Sequence, residues 1–342
     1  MQMNIFNSNS SKSCLLISKG FFVIIGLLLV DWVGAQSLSG VTNIRDTSYS
    51  TPIAYEKTKK DFPNIKIVLE LNSKTVKEKR EVNFCKIGKR RLKLNIFSPV
   101  IKSKEPRTAV LIIHGGGWRS GSPSQHYPLA QKLAQLGYVC YVPEYRLSTE
   151  ALFPAAIYDV KSAIRWVRKN AVKHNVASNK IVVLGFSAGG EMAAFMGTTG
   201  NMPLFEGANC TTDVTSDVNA VVDIDGTLSF VHPDGGEGDD SKGTSAATYW
   251  FGYSKIENPK LWETASPLSF VSAQTPPTLF INSAISRMHA GREDYIKVLN
   301  EHNIYSEVHT FEGAPHSFCL FEPWFDPTVK FIDSFLNKTF DN

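Results

Sequence analysis

A serine between small residues is the first feature of this sequence that indicates chemistry. Residues 185–189 read GFSAG, with Ser187 at the centre, between an apolar run and a helical pattern. A sharp turn from strand to helix needs small neighbours because larger side chains would clash, and such a turn lifts the serine hydroxyl above the sheet. The segment therefore predicts that Ser187 is a nucleophile.

A glycine run about seventy residues earlier predicts backbone donors that could hold an oxyanion. Residues 114–118 read HGGGW and directly follow the apolar run 109–113. Consecutive glycines leave their amides unshielded, so the N–H groups of Gly116 and Gly117, with that of Ala188, could bind the oxyanion of a tetrahedral intermediate. A flexible turn without a catalytic part is the alternative, and the serine downstream makes it the weaker interpretation.

His316 is the histidine best placed to serve Ser187 as general base. It lies within residues 313–318, GAPHSF, just past the last predicted strand, so the serine precedes the histidine along the chain. An imidazole beside the serine could take its proton and return it to the leaving group. The chain has 8 His, and a structural role is the alternative for any one of them.

Segments that alternate between strand and helix patterns must position these residues. The strand patterns cover residues 91–97, 109–113, 138–142, 181–185, 218–224, 277–282 and 305–311. The helical patterns cover residues 128–136, 154–169, 191–196, 294–302 and 328–336. This alternation predicts an α/β fold with a mostly parallel central sheet and helices on both faces. The irregular stretch 226–265 predicts an active-site loop or cap.

Together these motifs resemble the α/β-hydrolase superfamily, and within it the hormone-sensitive-lipase-like and the secreted acetyl, feruloyl or pectic carbohydrate esterases. The resemblance covers about residues 91–336 and also rests on EYRL at 144–147 and FPAA at 153–156. It implies an α/β-hydrolase fold and ester hydrolysis by a serine esterase through an acyl-enzyme. It also implies a reaction without a metal or an organic cofactor.

The acid of the catalytic triad is the point at which this chain departs from that family. The family places the acid shortly after the strand predicted at 277–282, and the matching position is Ser286, in a segment without a carboxylate. An acid at the end of an apolar strand is costly unless it is paired, which points to the end of the strand predicted at 218–224. Asp225 is our choice there, because it lies nearer the mouth of the following loop. Asp223 is the alternative on the same strand. The acids that stay open elsewhere are Asp294, Glu237, Asp239 and Asp240.

Composition and charge exclude several classes of protein. The 342 residues are 43% hydrophobic and 20% charged, which excludes wholesale disorder, collagen-like repeats and a coiled coil. The formal net charge is +4, and the basic residues are spread through the chain rather than gathered with aromatic residues. We therefore expect no nucleic-acid partner. The sequence does not determine the oligomeric state.

The first 35 residues predict export. Lys12 and Lys19 precede the apolar run FFVIIGLLLV at 21–30, and small residues follow before Gln36. This order is typical of a cleavable secretory signal peptide, with cleavage near Ala35. Since about ten apolar residues cannot span a bilayer, we expect no stable membrane anchor and a secreted or periplasmic protein. A lead-in at 36–83 would then precede a catalytic domain at 84–342.

Four cysteines remain after removal of the predicted signal peptide. They are Cys85, Cys140, Cys210 and Cys319, and their wide spacing is not that of a disulfide framework. An oxidising compartment would permit disulfides, and three full pairings are possible. Buried free thiols are the favoured expectation, with the pairings left open.

Aromatic residues crowd the predicted mouth of the site, where they could stack on sugar rings or pack a lid. They are Trp118, Tyr249, Trp250, Phe251, Phe318, Phe321, Trp324 and Phe325. The function expected is that of a secreted serine esterase acting on an acetyl, methyl or feruloyl ester of a plant-type polysaccharide or oligosaccharide. A general carboxylesterase or lipase acting on small-molecule esters is one alternative. A catalytically silent binding protein of the same fold is the other, supported only by the missing acid at Ser286.

Overall fold

An eight-stranded sheet runs through the computed structural model, which describes residue 37 and residues 39–340 apart from residue 209. The strands are Lys66–Ile67 (β1), Val76–Ile87 (β2), Arg90–Pro99 (β3), Arg107–Ile113 (β4), Val139–Pro143 (β5), Val176–Phe186 (β6), Ala220–Ile224 (β7), Thr278–Asn282 (β8), Ser306–Thr310 (β9) and Phe321–Glu322 (β10). The order across the large sheet is β2-β3-β5-β4-β6-β7-β8-β9. Within this sheet the pairs that β3 makes with β2 and β5 are antiparallel, and the other neighbouring pairs are parallel. β1 and β10 form a separate antiparallel pair. The predicted α/β fold is confirmed.

Ten α-helices accompany the sheet within the described residues. They are Thr51–Thr58 (α1), Tyr127–Gln135 (α2), Ala155–Lys169 (α3), Ala171–His174 (α4), Ala188–Thr198 (α5), Pro203–Glu206 (α6), Ala246–Phe251 (α7), Pro259–Thr264 (α8), Arg292–Glu301 (α9) and Phe325–Phe340 (α10). Within the same residues, no helix has both the length and the apolar character needed to cross a membrane.

The helices cover both faces of the sheet, which explains why its central strands read as continuous apolar runs. One core cluster packs α3 and α5 against the sheet, and the second packs α2 and α10 against the opposite face. In β4, the residues from Ala109 to Ile113 are all buried, because neither face of a parallel central strand meets water. This packing fixes the carboxyl ends of β4, β6 and β7 at one edge of the sheet.

The segment predicted as a loosely ordered lead-in contributes to the fold. Residues 36–83 contain α1, β1 and the first part of β2, which pairs along its length with β3. The domain boundary expected at residue 84 therefore falls inside a strand of the sheet and is wrong. Sequence reasoning missed this strand because β2 is polar in composition, as an edge strand that exposes many of its side chains can be. The predicted signal peptide at 1–35 lies outside the described residues.

One disulfide corrects the expectation that the cysteines are free thiols. Cys85, in β2, is bonded to Cys210, which follows α6, and their Cα atoms are 5.5 Å apart. Cys140 and Cys319 are buried free thiols, as expected. The bridge joins residues separated by 125 positions, and spacing along the chain carries no signal for a contact of that kind.

Candidate active site

Ser187 stands on a strained turn between β6 and α5. Its backbone has φ 57° and ψ −122°, outside the regions that most residues with side chains adopt, and α5 begins at the next residue. A Cβ atom at Gly185 would lie 1.8 Å from the carbonyl oxygen of Gly189, and one at Gly189 would lie 2.2 Å from that of Ile113. Both glycines are therefore required by close backbone packing, which supports the strained serine.

A chain of hydrogen bonds joins Ser187, His316 and Asp225. The Nε2 atom of His316 lies 2.9 Å from the hydroxyl of Ser187, and its Nδ1 atom lies 2.9 Å from Oδ2 of Asp225. The other carboxylate oxygen of Asp225 accepts a 2.8 Å hydrogen bond from the backbone amide of Ser283, the residue after β8. Asp225 is fully buried, whereas the side chain of His316 is 28% exposed. This arrangement can orient the imidazole and stabilise it when it is protonated.

The other acids considered for the triad lie elsewhere. Asp223 is buried and accepts a hydrogen bond from the amide of Gly226, whereas Asp294 is 62% exposed beside His232. Asp239 and Asp240 bond to residues of their own loop. Glu237 reaches the cavity of the site but pairs with Arg287 at 3.5 Å.

Two of the expected oxyanion donors lie in the loop after β4. Gly116 and Gly117 have φ values of 125° and 60°, in the region that glycine adopts without strain. A Cβ atom at Gly116 would also lie 2.0 Å from the carbonyl oxygen of Ser120. Ala188 is the first residue of α5, so its N–H is one of the helix amides that have no partner within the helix. All three residues line one cavity with Ser187 and His316.

That cavity has a volume of about 430 Å³, and its lining combines charged and hydroxyl groups with apolar side chains. Besides the residues named above, it is lined by Tyr49, Lys57, Trp118, Ser120, Thr227, Glu237, Ala246, Arg287 and Met288. The stretch 226–265, expected as a loop or cap, supplies three of these residues. Tyr49 and Lys57 were missed by sequence reasoning because they belong to the segment interpreted as a lead-in.

The aromatic mouth predicted from the sequence is wrong. Of the eight side chains proposed to stack on sugars, only Trp118 lines the cavity, and it is 4% exposed. Trp250 stacks on Trp118 with ring centroids 4.9 Å apart, and Phe230 packs against both rings. The apolar surface of these rings is buried in the core beside the cavity. Its removal from water stabilises the stretch 226–265, to which Phe230 and Trp250 belong.

No second histidine competes with His316 among the described residues lining the cavity. His114 begins the glycine-rich loop, but it is fully buried and stacks on Tyr145 with ring centroids 4.4 Å apart. Burial lowers the pKa of His114 to about 3, which keeps its ring neutral. In the part of the chain that the structure describes, no group of three or more His, Cys, Asp or Glu residues could hold a metal ion.

The order of the three residues along the chain indicates the class of protein. In the α/β-hydrolases the nucleophile comes first along the chain, the acid second and the histidine last, as they do here. The serine at the turn from strand to helix corresponds to the nucleophile elbow of that class. The fold and the site thus define an α/β-hydrolase, and relatives and solved structures that resemble the chain are named esterases. More narrowly, the model of the BD-FAE family matches residues 94–287, and the chain belongs to that family.

A curated relative is Esterase LipC of Mycobacterium tuberculosis, which is 30% identical over 253 residues, covering 68% of this chain and 59% of LipC. The chain thus spans less than two thirds of the length of the first curated relatives it matches. A solved structure of propionate-bound esterase 2 from the Planctomycetes species Thermogutta terrifontis has a TM-score of 0.63 and 26% identity, covering 78% of this chain and 96% of that one. A truncated carbohydrate esterase from gut microbiota has a TM-score of 0.66, and its 22% identity shows a common fold, over 78% of this chain and 99% of that one.

Proposed function

We propose that the protein hydrolyses carboxylic esters through an acyl-enzyme. The observation that carries this proposal is the unbroken chain of hydrogen bonds from Ser187 through His316 to Asp225, beside a cavity. The Ser187 hydroxyl attacks the acyl carbonyl while His316 takes its proton, and His316 then gives that proton to the leaving alcohol. Water attacks the acyl-enzyme in the same way, with His316 again as base, and releases the acid and the free serine.

The amides of Gly116, Gly117 and Ala188 stabilise the negative oxygen in each tetrahedral intermediate of this reaction. Each such donor is worth about 3 kcal/mol in serine hydrolases. The alternative of a catalytically silent binding protein loses its support, because Asp225 supplies to His316 the carboxylate that Ser286 lacks.

The charged and hydroxyl groups in the lining of the cavity favour a glycan ester as substrate. Lys57, Glu237 and Arg287 bring three charged side chains to the cavity, and Ser120 and Thr227 add hydroxyl groups. Such groups can exchange hydrogen bonds with the hydroxyls of an acetylated, methylated or feruloylated oligosaccharide, whereas a long acyl chain would leave them without partners. The general carboxylesterase is the second candidate, and the propionate-bound neighbour supports a short acyl group for either.

A substrate panel separates these two candidates. We expect a kcat/KM at least about tenfold higher for an acetylated or feruloylated xylo-oligosaccharide, or a methyl-esterified oligogalacturonide, than for p-nitrophenyl acetate, because binding energy from the sugar lowers the barrier. The measurement is release of acetate, ferulate or methanol compared with release of nitrophenol from the acetate, butyrate and octanoate esters. A preference for octanoate, with no gain from any sugar, would assign the protein to the lipase alternative.

Arg287 provides a sharper test of the glycan proposal. Its guanidinium pairs with Glu237 at the cavity, and burial raises the pKa of Glu237. We expect Arg287→Ala to lower the ratio of glycan-ester to p-nitrophenyl acetate kcat/KM about tenfold, since a sugar contact is lost. Lys260→Ala, which removes an exposed cation away from the cavity, is the matched control and should leave the ratio unchanged. An unchanged ratio in Arg287→Ala would argue against sugar recognition by this side of the cavity.

We also propose that the protein is exported. The disulfide between Cys85 and Cys210 supports this proposal, because such bonds persist mainly in oxidising compartments, and the apolar run at 21–30 supports it independently. Expressed in a bacterium with an intact export pathway, the full chain should appear outside the cytoplasm with Gln36 as its first residue. N-terminal sequencing measures this, and recovery of the uncleaved chain from the cytoplasm would refute it.

A further inference from the structure

A buried carboxyl group lies one helical turn after the nucleophile, outside the hydrogen-bonded chain of the triad. Glu191 is fully buried in the first turn of α5, and its amide donates to the carbonyl of Ser187 at 3.0 Å. Its Oε2 atom accepts a 2.9 Å hydrogen bond from the indole Nε1 of Trp118, 73 residues earlier in the chain. Among the described residues its Oε1 atom has no hydrogen-bond partner. Burying a carboxyl group with one oxygen unpaired is costly, so a function for this group is to be expected.

The partner of Glu191 belongs to the loop that carries the oxyanion donors. Trp118 directly follows Gly116 and Gly117, and all three have positive φ values, with that of Trp118 at 56°. A side chain as bulky as tryptophan rarely adopts this conformation, and the surrounding contacts must hold it there. The stack on Trp250 holds the plane of the indole, and the hydrogen bond to Glu191 fixes the ring's position along that plane.

We propose that Glu191 is a positioning residue that sets the geometry of the oxyanion hole through Trp118. Two of the three donors, at Gly116 and Gly117, lie on the loop, and the third, at Ala188, lies on α5. The hydrogen bond between Trp118 and Glu191 ties that loop to that helix, so it fixes the distance between the two sets of donors. This inference rests on the proposed esterase activity.

The surroundings of Glu191 are compatible with a neutral acid. Asp223 is a second fully buried carboxyl group nearby, and it too has an oxygen without a partner among the described residues. Burial raises the pKa of Glu191 well above its ordinary range, and the charge of Asp223 raises it further. A glutamine at 191 therefore preserves both the shape of the group and an oxygen that accepts from the indole.

Four variants test the proposal. The kcat of each is expressed per active site counted by titration, so that only folded enzyme contributes. Glu191→Leu removes the acceptor, and Trp118→Phe removes the donor while keeping a ring. We expect each to lower kcat for p-nitrophenyl acetate about 10- to 100-fold with KM changed less than about threefold, because oxyanion binding acts on the transition state. The double variant should lose no more than either single one, and Glu191→Gln should stay within about threefold of the wild type.

The affinity of a trifluoromethyl ketone, 1,1,1-trifluoro-2-butanone, is the second measurement, because its serine adduct places an oxyanion in the same hole. Its Ki should rise in parallel with the loss of kcat in Glu191→Leu and Trp118→Phe. Trp262→Phe is the matched control, because it deletes an indole donor in the same aromatic core whose partner is the carbonyl of Tyr253, away from the loop. That variant should keep the wild-type kcat and Ki.

The inference is overturned if both single variants lose only thermal stability, with kcat per titrated site and Ki unchanged. It is also overturned if Glu191→Gln is as impaired as Glu191→Leu, or if the losses in the double variant add. A wild-type protein that neither turns over esters nor binds the ketone would instead refute the proposed function, and this inference with it.

Discussion

Ser187→Ala should lower turnover of p-nitrophenyl acetate by about 10⁴-fold or more, to near the rate without enzyme. The hydroxyl of Ser187 is the one serine oxygen within hydrogen-bonding distance of His316 in the described structure, at 2.9 Å from its Nε2 atom. Without that oxygen no acyl-enzyme forms, and the oxyanion donors alone can assist only a direct attack by water. Steady-state release of nitrophenol, with the burst amplitude as a measure of acylation, checks this result.

Ser124→Ala is the matched control for that experiment. Ser124 is an exposed serine of the turn before α2, bonded to Ser122, and its loss should leave turnover within about twofold of the wild type. A phosphonate that labels serine nucleophiles should add to the wild type and to Ser124→Ala, but not to Ser187→Ala. Retention of a tenth of the activity in Ser187→Ala would contradict the assignment of the nucleophile.

The local half of the site could be predicted from the sequence. A few consecutive residues determine the geometry of the turn at Ser187, and a few others that of the glycine loop after β4. In both cases the geometry depends on close backbone packing around one turn. The strand and helix patterns were equally local, and the observed bounds differ from the predicted ones mostly by one to three residues. The largest shift is in β6, which begins at Val176 with polar residues ahead of the apolar run.

The non-local half of the site could not be predicted with the same certainty. Asp225 is the acid because β7, β8 and β9 are neighbours in the sheet. The amide of Ser283, just after β8, and the Nδ1 atom of His316, after β9, each bond to one of its two oxygens. The two-residue periodicity of a strand places Asp223 and Asp225 on the same face, so it does not distinguish between them. The φ of 53° at Asp225 shows that this residue has already left the strand, so the alternation of strand side chains does not apply to it.

The aromatic residues show the opposite error, in which residue type was given too much weight. Trp250 and Phe251 belong to α7, and both are fully buried. A ring that can stack on a sugar can equally well remove its apolar surface from water, and the second use prevails where neighbouring rings are available. The substrate preference must therefore be sought in charged and hydroxyl groups of the cavity, which sequence composition does not distinguish from an ordinary solvated surface.

Asp225→Asn should lower kcat for p-nitrophenyl acetate by about 10⁴-fold while leaving the fold intact. The carboxylate of Asp225 accepts a hydrogen bond from the Nδ1–H group of His316, which keeps Nε2 free to take the proton of Ser187. An amide turned toward the ring donates instead of accepting, so it favours the wrong tautomer, and it has no charge to stabilise the imidazolium. The remaining contact with the amide of Ser283 can still be made by the amide oxygen, which is why the variant should fold.

Two matched variants separate this role from the general effect of losing an acid near the site. Asp294→Asn alters an exposed carboxylate that sits 3.4 Å from His232, and it should keep activity within about twofold. Asp223→Asn alters the buried acid two residues away, whose bond is to the amide of Gly226 rather than to the histidine, so any loss should be small beside that of Asp225→Asn. If Asp294→Asn or Asp223→Asn abolished turnover and Asp225→Asn did not, the acid of the triad would be misassigned, and the hydrogen bond to His316 would be structural.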